Sequence, residues 1–458
     1  MFDKTGFKKF VTDVSPLLTI LFGVALIAFT LGPYNTYDTQ LEFEAASNVV
    51  SMGIPYVEGF GTVIDQPPLG FYTEALFFRI FGLSLNTGVA LVTLFGLGST
   101  VLMYLLGKEL YSKSAGILAA ALFGLNPWQL VLSRSFLIDT QCLFFSILCL
   151  LTGIWAIRKG SVKLSLISGV VFAAALLTKF YAAFVLIPLL LFYLYSRPKK
   201  PKLVLSQLAA FLLPTLLFAV FWYQIVLGRS VSSIFLHNDF ADVVPTSTGV
   251  VASPFFVSNF MLNYGLGLSL VVAISFALIL GFSLRKYFPK VVVVDLVCLV
   301  TVAIVLTVNV YLGAILNLNV PYFSAIKYGY QALPFFVLIA ASLSAKSLAI
   351  SETAKLKTTP KKLLLWLVAV VSMVLLAASI ISAMYTINVI STRDYLQYRV
   401  EPQVDYGYAL STVTPLTAGS PLMTVQYLGL ALVLCGLLFG LFWGNKNKLM
   451  LLPKHENA

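Results

Sequence analysis

Charge is what this sequence has least of. Asp, Glu, Lys and Arg make up 10% of its 458 residues and apolar residues 59%, against roughly 25% and 45–50% in globular domains. So few charges cannot cover a soluble surface. Cysteine is scarce too. Cys142, Cys149, Cys298 and Cys435 all fall within apolar runs, and no C-x-x-C, H-E-x-x-H or paired loop cysteines occur. Neither a disulfide frame nor a zinc site is implied, and the four read as small packing residues. No polar stretch is long enough for a separate soluble domain, and no clear internal repeat is present.

What fills the chain instead is apolar runs, at roughly 15–32, 87–107, 115–128, 138–157, 164–178, 180–196, 203–227, 259–283, 291–313, 329–345, 363–385 and 424–443. A spanning helix needs about 20 mostly apolar residues. The expected fold is an all-α polytopic membrane protein of about 12 transmembrane helices (11–13), with amphipathic surface helices in the first outer loop. The first run lacks an A-x-A-like cleavage site and reads as a retained span. Residues 1–348 form one transmembrane module with an outer loop at 33–86, and residues 349–458 form a C-terminal region with an outer segment at 386–423.

The net charge of +12 is distributed by topology. With a cytoplasmic N-terminus, all but seven of the 30 Lys and Arg residues fall on the inner side; the seven are Arg79, Arg134, Lys179, Arg229, Lys327, Arg393 and Arg399. Twelve of the 18 acids fall outside with them. By the positive-inside rule both termini of this multi-pass protein are cytoplasmic, and a prokaryotic plasma membrane is the expected location. The basicity therefore gives no argument for nucleic acid.

Against this background Asn35 to Gly82 stands out. It carries Asp38, Glu42, Glu44, Glu58, Asp65 and Glu74 against one base, Arg79, and no lysine. Thr39 and Glu42 have capping-box spacing, which predicts a helix with Leu41, Ala45, Val49 and Met52 on one face, stopped at Gly53-Ile54-Pro55. Asp65-Gln66-Pro67-Pro68-Leu69-Gly70 is stiff, because paired prolines fix φ and donate no hydrogen bond. A second short helix is expected over Phe71–Phe81.

Four constellations meet on the outer side. Asp38, in Tyr37-Asp38-Thr39, is placed to act as a general base or to cap the surface helix. Asp139, after Arg134-Ser135-Phe136-Leu137-Ile138, sits at the start of an apolar span, where a charge is expensive without a partner; Arg134 is one candidate. Lys179, in Leu177-Thr178-Lys179-Phe180-Tyr181, and Lys327, in Lys327-Tyr328-Gly329-Tyr330, are outer cations suited to a lipid-linked phosphate or to snorkelling. His237 stands by itself in the outer segment 229–258 and carries little.

As an ordered set these pieces resemble the GT-C membrane glycosyltransferases, in particular the dolichyl-phosphate-mannose protein mannosyltransferase superfamily and bacterial relatives that transfer aminoarabinose to lipid A. The likeness covers about residues 15–345. The family's Asp-Glu pair after the first span falls on Asp38-Thr39, its Lys-Pro-Pro-Leu on Gln66-Pro67-Pro68-Leu69, and its second acid on Asp139. Its Leu-Thr-Lys falls on Leu177-Thr178-Lys179, and its Arg-Tyr…Pro on Lys327-Tyr328 through Pro334. Gln66 and Thr39 depart from the family pattern.

What the resemblance implies is inverting transfer of a sugar from a polyprenyl-phosphate donor to a hydroxyl of a protein, lipid or glycan at the outer membrane face. Asp38 is then the catalytic base, Asp139 a catalytic carboxylate that orients the acceptor or the neighbours of Asp38, and Lys179, Lys327 and Arg134 hold the donor phosphate. Gln66, Tyr56, Phe71, Tyr72, Tyr328 and His237 line the substrate. No cofactor is implied, and a divalent metal is left open. The rivals are a flippase or transporter of lipid-linked sugars, whose charges belong nearer mid-membrane, and a ligase or polymerase moving whole glycans.

Overall fold

The structure, a computed structural model, describes residues 4–31, 37–57, 66–196, 201–220, 289–315, 330–352 and 421–443. Among them every regular element is a helix. In chain order these are α1 (Lys4–Thr30), α2 (Tyr37–Met52), α3 (Leu69–Phe81), α4 (Leu85–Leu110), α5 (Lys113–Gly124), α6 (Pro127–Ser133), α7 (Asp139–Lys159) and α8 (Val162–Leu176). A 3-10 turn, Phe180–Val185, leads into α9 (Leu186–Ser196). Then follow α10 (Pro201–Pro214), prolonged by a π turn at Thr215–Val220, and α11 (Pro289–Ile315). Last come the 3-10 turn Tyr330–Ala332 with α12 (Leu333–Glu352), and α13 (Pro421–Trp443).

Among the described residues four stretches are long and apolar enough to cross a bilayer: Leu85–Leu110, Asp139–Lys159, Pro201–Phe218 and Thr424–Leu441. Shorter apolar helices include Val14–Thr30, Lys113–Gly124, Val162–Leu176 and Phe180–Ser196. The runs expected at 259–283 and 363–385, the outer segment at 229–258 and residues 386–420 of the last outer segment lie outside the described residues.

Two boundaries differ from expectation for local reasons. The run at 115–128 is not one helix. α5 stops at Gly124, and the Asn126 side chain accepts from the N–H groups of Trp128 (3.0 Å) and Gln129 (3.4 Å) to open α6, with Pro127 in its first turn. α2 begins at Tyr37, two residues before Thr39, so Thr39 lies inside the first turn and is not its cap.

The core is continuous through α1, α4, α5, α7, α11, α12 and α13, with Ile20, Met103, Ile117, Phe123 and Val337 fully enclosed. Cys142, Cys149 and Cys298 are buried as packing residues; Cys435 is exposed. α1 and α13 approach at backbone distance. A Cβ on Gly23 would lie 2.4 Å from the Gly429 carbonyl oxygen, and one on Gly429 would lie 2.7 Å from that of Gly23. Association of apolar helices in lipid rests on such close packing, because hydrocarbon supplies no hydrophobic drive.

α4 and α7 run parallel, since Phe95 packs on Phe144 near their starts and Arg158 pairs with Glu109 near their ends. One end of the bundle therefore carries Lys108, Lys113, Arg158, Lys159 and Lys163. The other carries α3 and the start of α7. The acidic loop and the basic turns are thus at opposite ends of the same helices.

Gly429→Val should separate α1 from α13, lowering stability in detergent by about 1–3 kcal/mol. Leu428→Val, at an exposed neighbour, should stay within about 0.5 kcal/mol. Equal unfolding midpoints for the two variants would mean the helices do not touch at these glycines.

Candidate functional site

At the acidic end, three segments distant in sequence bring their side chains to one point. The start of α7 presents Asp139, fully buried. The turn after α8 presents Lys179, whose extended backbone (φ −154°, ψ 146°) turns the side chain out of the helical register. Glu42, from the first half of α2, closes the group. Lys179 Nζ lies 2.6 Å from Asp139 Oδ2 and 3.2 Å from Glu42 Oε1, with its side chain 8% exposed. The Tyr181 hydroxyl donates to the other oxygen of Asp139. The Ile138 N–H donates to Glu42 Oε2 at 2.8 Å, so Glu42 satisfies a donor at the α7 N-terminus, where the helix dipole favours an anion.

α3 is clamped against this group. Its Leu69 N–H donates to the Leu177 carbonyl at 2.8 Å, fixing the Pro67-Pro68 bend to the lysine turn. Gly70 rests on Ile138, and a Cβ there would come within 2.4 Å of the Ile138 side chain. One helical turn further, Glu74 is buried (1% exposed), and neither carboxyl oxygen has a hydrogen-bond partner among the described residues. Burial pushes its carboxyl well above the usual range; the Glu42 charge adds to the rise and Lys179 opposes it. Two carboxylates thus share one ammonium, and beside them burial favours the protonated form of Glu74.

The expected site residues divide as follows. Asp139 and Lys179 meet directly. Asp38 is in the first turn of α2, four residues before Glu42 in the chain. Gln66 is half-buried at the Pro-Pro bend, its Oε1 buried without a partner among the described residues. Arg134, expected at the donor phosphate, instead commits its guanidinium to the Leu31 carbonyl (Nε, 2.9 Å) and the Thr93 hydroxyl (Nη1, 3.2 Å). It ties the end of α1 to α4. Phe71, expected to line substrate, is fully buried between α2 and α3 with Val49 and Ile138, because its helix face is the packed one. Tyr72 is exposed, and its hydroxyl donates to the Gly53 carbonyl at 2.8 Å. Tyr56 sits past the end of α2, its carbonyl accepting from Asn48 Nδ2 at 2.8 Å. Lys327, Tyr328 and His237 lie outside the described residues.

The segment just after Lys327-Tyr328 is tied to the same place. The Tyr330 hydroxyl donates to the Gln129 side chain, and Gln331 Nε2 reaches Cys142 Sγ (3.7 Å), three residues beyond Asp139. Sequence reasoning missed Glu42, Glu74, Tyr181 and Tyr330 as members of the site. The four-residue spacing of Asp38 and Glu42 was the available signal for the first.

The chain is similar to known proteins in part of its sequence and in its fold. Residues 65–224, which include Gln66, Glu74, Asp139 and Lys179, match the family described as dolichyl-phosphate-mannose-protein mannosyltransferase. ArnT from Cupriavidus metallidurans, in a structure bound to undecaprenyl phosphate, superposes with a TM-score of 0.52 at 14% identity, covering 96% of this chain and 77% of that one. The chain has the GT-C fold. The Archaeoglobus fulgidus oligosaccharyltransferase aligns with a TM-score of 0.50 at 15% identity, over 88% of this chain and 60% of its own. In sequence, the chain is similar to two Bacillus subtilis proteins provisionally named mannosyltransferases. YkcB is 29% identical over 196 residues and YycA 32% over 162. The matched stretches are 41% and 34% of this chain and only 27% and 23% of those relatives' lengths.

Lys179→Met would leave Asp139 and Glu42 buried without their cation, a loss of about 3–5 kcal/mol. Adding Glu42→Gln to that variant should recover part of it. Denaturant unfolding in detergent measures both, and an unchanged midpoint for Lys179→Met would remove the ion cluster from the account.

Proposed function

We propose that this GT-C protein is an inverting glycosyltransferase that moves a sugar from a polyprenyl-phosphate carrier to a hydroxyl of a protein, lipid or glycan at the outer membrane face. The observation that carries the reading is the Glu42–Lys179–Asp139 cluster, buried beneath α2 and α3 at the end of the bundle opposite the basic turns. A lipid donor reaches such a site sideways from the bilayer. The undecaprenyl phosphate bound by the structurally similar ArnT supports a donor of this kind. The positive-inside rule then puts the basic end in the cytoplasm, with both termini, in a chain of about 12 spans.

In this reading Asp38 takes the proton of the acceptor hydroxyl as that oxygen attacks the anomeric carbon. The bond from that carbon to the phosphate oxygen breaks, and its electron pair leaves on the phosphate. Direct displacement inverts the centre and requires no enzyme nucleophile. The leaving phosphate gains charge, which Lys179 and Lys327 offset. Lys179 is already shared by two carboxylates, so the phosphate takes the place of the longer contact, that to Glu42. Glu42 keeps its bond from the Ile138 N–H meanwhile. Asp139, paired through both oxygens, holds Lys179 and Tyr181 in position.

The test is Asp38→Asn, which preserves size and capping ability. Folding and binding of polyprenyl phosphate should be unchanged, and sugar transfer by purified protein should fall about 10²–10⁴-fold. Transfer at the wild-type rate would remove Asp38 as the base. Wild-type protein that moves the lipid across liposomes without cleaving it would be a transporter.

A further inference from the structure

Glu74 is the one carboxyl of the site that the scheme above leaves without work. Buried polar groups in native proteins are almost always hydrogen-bonded. Glu74 is 1% exposed, yet both its oxygens lack partners among the described residues. A second buried acceptor, Gln66 Oε1, is also without one. The two belong to one piece of structure. Gln66 precedes the Pro-Pro bend that is pinned to Leu177, beside Lys179. Glu74 projects one turn past Gly70, which is seated on Ile138 at the α7 N-terminus.

The chemistry of the vacant groups selects their ligand. In the reading above the donor phosphate takes Lys179, so a further anion would face Glu42 and Asp139 with no counter-charge of its own. No group of three His, Cys, Asp or Glu side chains converges to hold a metal ion among the described residues. A neutral carboxylic acid offers one O–H donor and free lone pairs, and an amide oxygen offers two more. Sugar hydroxyls both donate and accept, and so match this set. Whatever they bind must also sit within reach of Lys179, as a sugar joined directly to the phosphate would.

We infer that Glu74 and Gln66 form the hydroxyl-binding edge of a subsite for the sugar ring of the donor. The inference rests on the polyprenyl-phosphate transferase reading. Glu74 is a binding residue here and takes no proton in the reaction.

The experiment compares affinity for polyprenyl phosphate alone with affinity for polyprenyl-phosphate sugars, using purified full-length protein in nanodiscs. From a panel of hexosyl and pentosyl carriers, the sugar that binds wild type most tightly is used throughout. That sugar should tighten binding about 10-fold over the bare phosphate. Glu74→Gln, which keeps a donor and an acceptor, should retain the increment. Glu74→Leu, similar in size but unable to hydrogen-bond, should lose most of it while binding bare polyprenyl phosphate as wild type does. A Glu74→Leu protein with the full sugar increment would overturn the inference, as would a wild type showing none. Should Leu destabilise the fold, the Gln variant decides alone, since loss of the increment there contradicts a neutral hydroxyl-binding acid. Sugar transfer is measured on the same samples. A wild type that shows the increment but never transfers sugar would sink the transferase reading and leave the subsite standing.

Discussion

The acidic end of this molecule depends on one buried ammonium. Lys179 is reached by carboxylates from α2 and α7, and its own turn is hydrogen-bonded to the start of α3. Burying those charges is unfavourable in itself, and only mutual pairing and satisfied hydrogen bonds offset the desolvation. That makes the cluster a poor source of stability but a strict specifier of geometry. Asp139, Glu42 and Lys179 hold only if all three segments are in register. Two carboxylates around one cation also leave an electrostatic opening, because an incoming phosphate competes with an acid already in place. Binding and release of a charged lipid head are then exchanges of partner, which suits a site that must let its product go.

Around the cluster runs a second, uncharged set of bonds. Tyr330 donates to Gln129, Gln129 Nε2 to the Ser133 hydroxyl at 2.9 Å, and Thr93 to the Ser133 carbonyl at 2.9 Å. Arg134 carries the chain on to Thr93 and Leu31. This rail links the start of α12 to the end of α1, and so links the two stretches that lead into Lys327 and Asp38. In an apolar interior each such bond is hard to replace, and polar residues between helices fix register where Leu and Phe alone do not.

How much of this was legible in the sequence varies with the physics involved. A lone acid opening an apolar run and a lone lysine between two runs are both expensive, and Asp139 and Lys179 stood out for that reason. Glu42 did not, because its spacing from Thr39 mimics a capping box; α2 starts at Tyr37, so that carboxylate is free to reach Ile138. Glu74 was one acid among six, and only the burial of its helix face distinguishes it. Phe71 and Tyr72 read as lining from the resemblance, although aromatics gather at any membrane interface; the pairing of α2 with α3 buries the first and ties the second to Gly53. Arg134 carried a charge of the right sign, but what its guanidinium meets is a carbonyl more than a hundred residues earlier in the chain. The helical, membrane-spanning character was plain from composition, since apolar runs of this length have few other uses.

The most direct measurement is a cryo-EM structure of the full chain in nanodiscs with a non-cleavable phosphonate analogue of the polyprenyl-phosphate sugar. The account predicts a phosphonate oxygen within about 3 Å of Lys179 Nζ, at charge-assisted hydrogen-bond distance. Lys179 should have parted from Glu42 and kept Asp139, with the sugar ring against Glu74 and Gln66. A phosphonate bound at the basic end of the bundle, or a Glu42–Lys179–Asp139 cluster left intact beside a remote ligand, would contradict it.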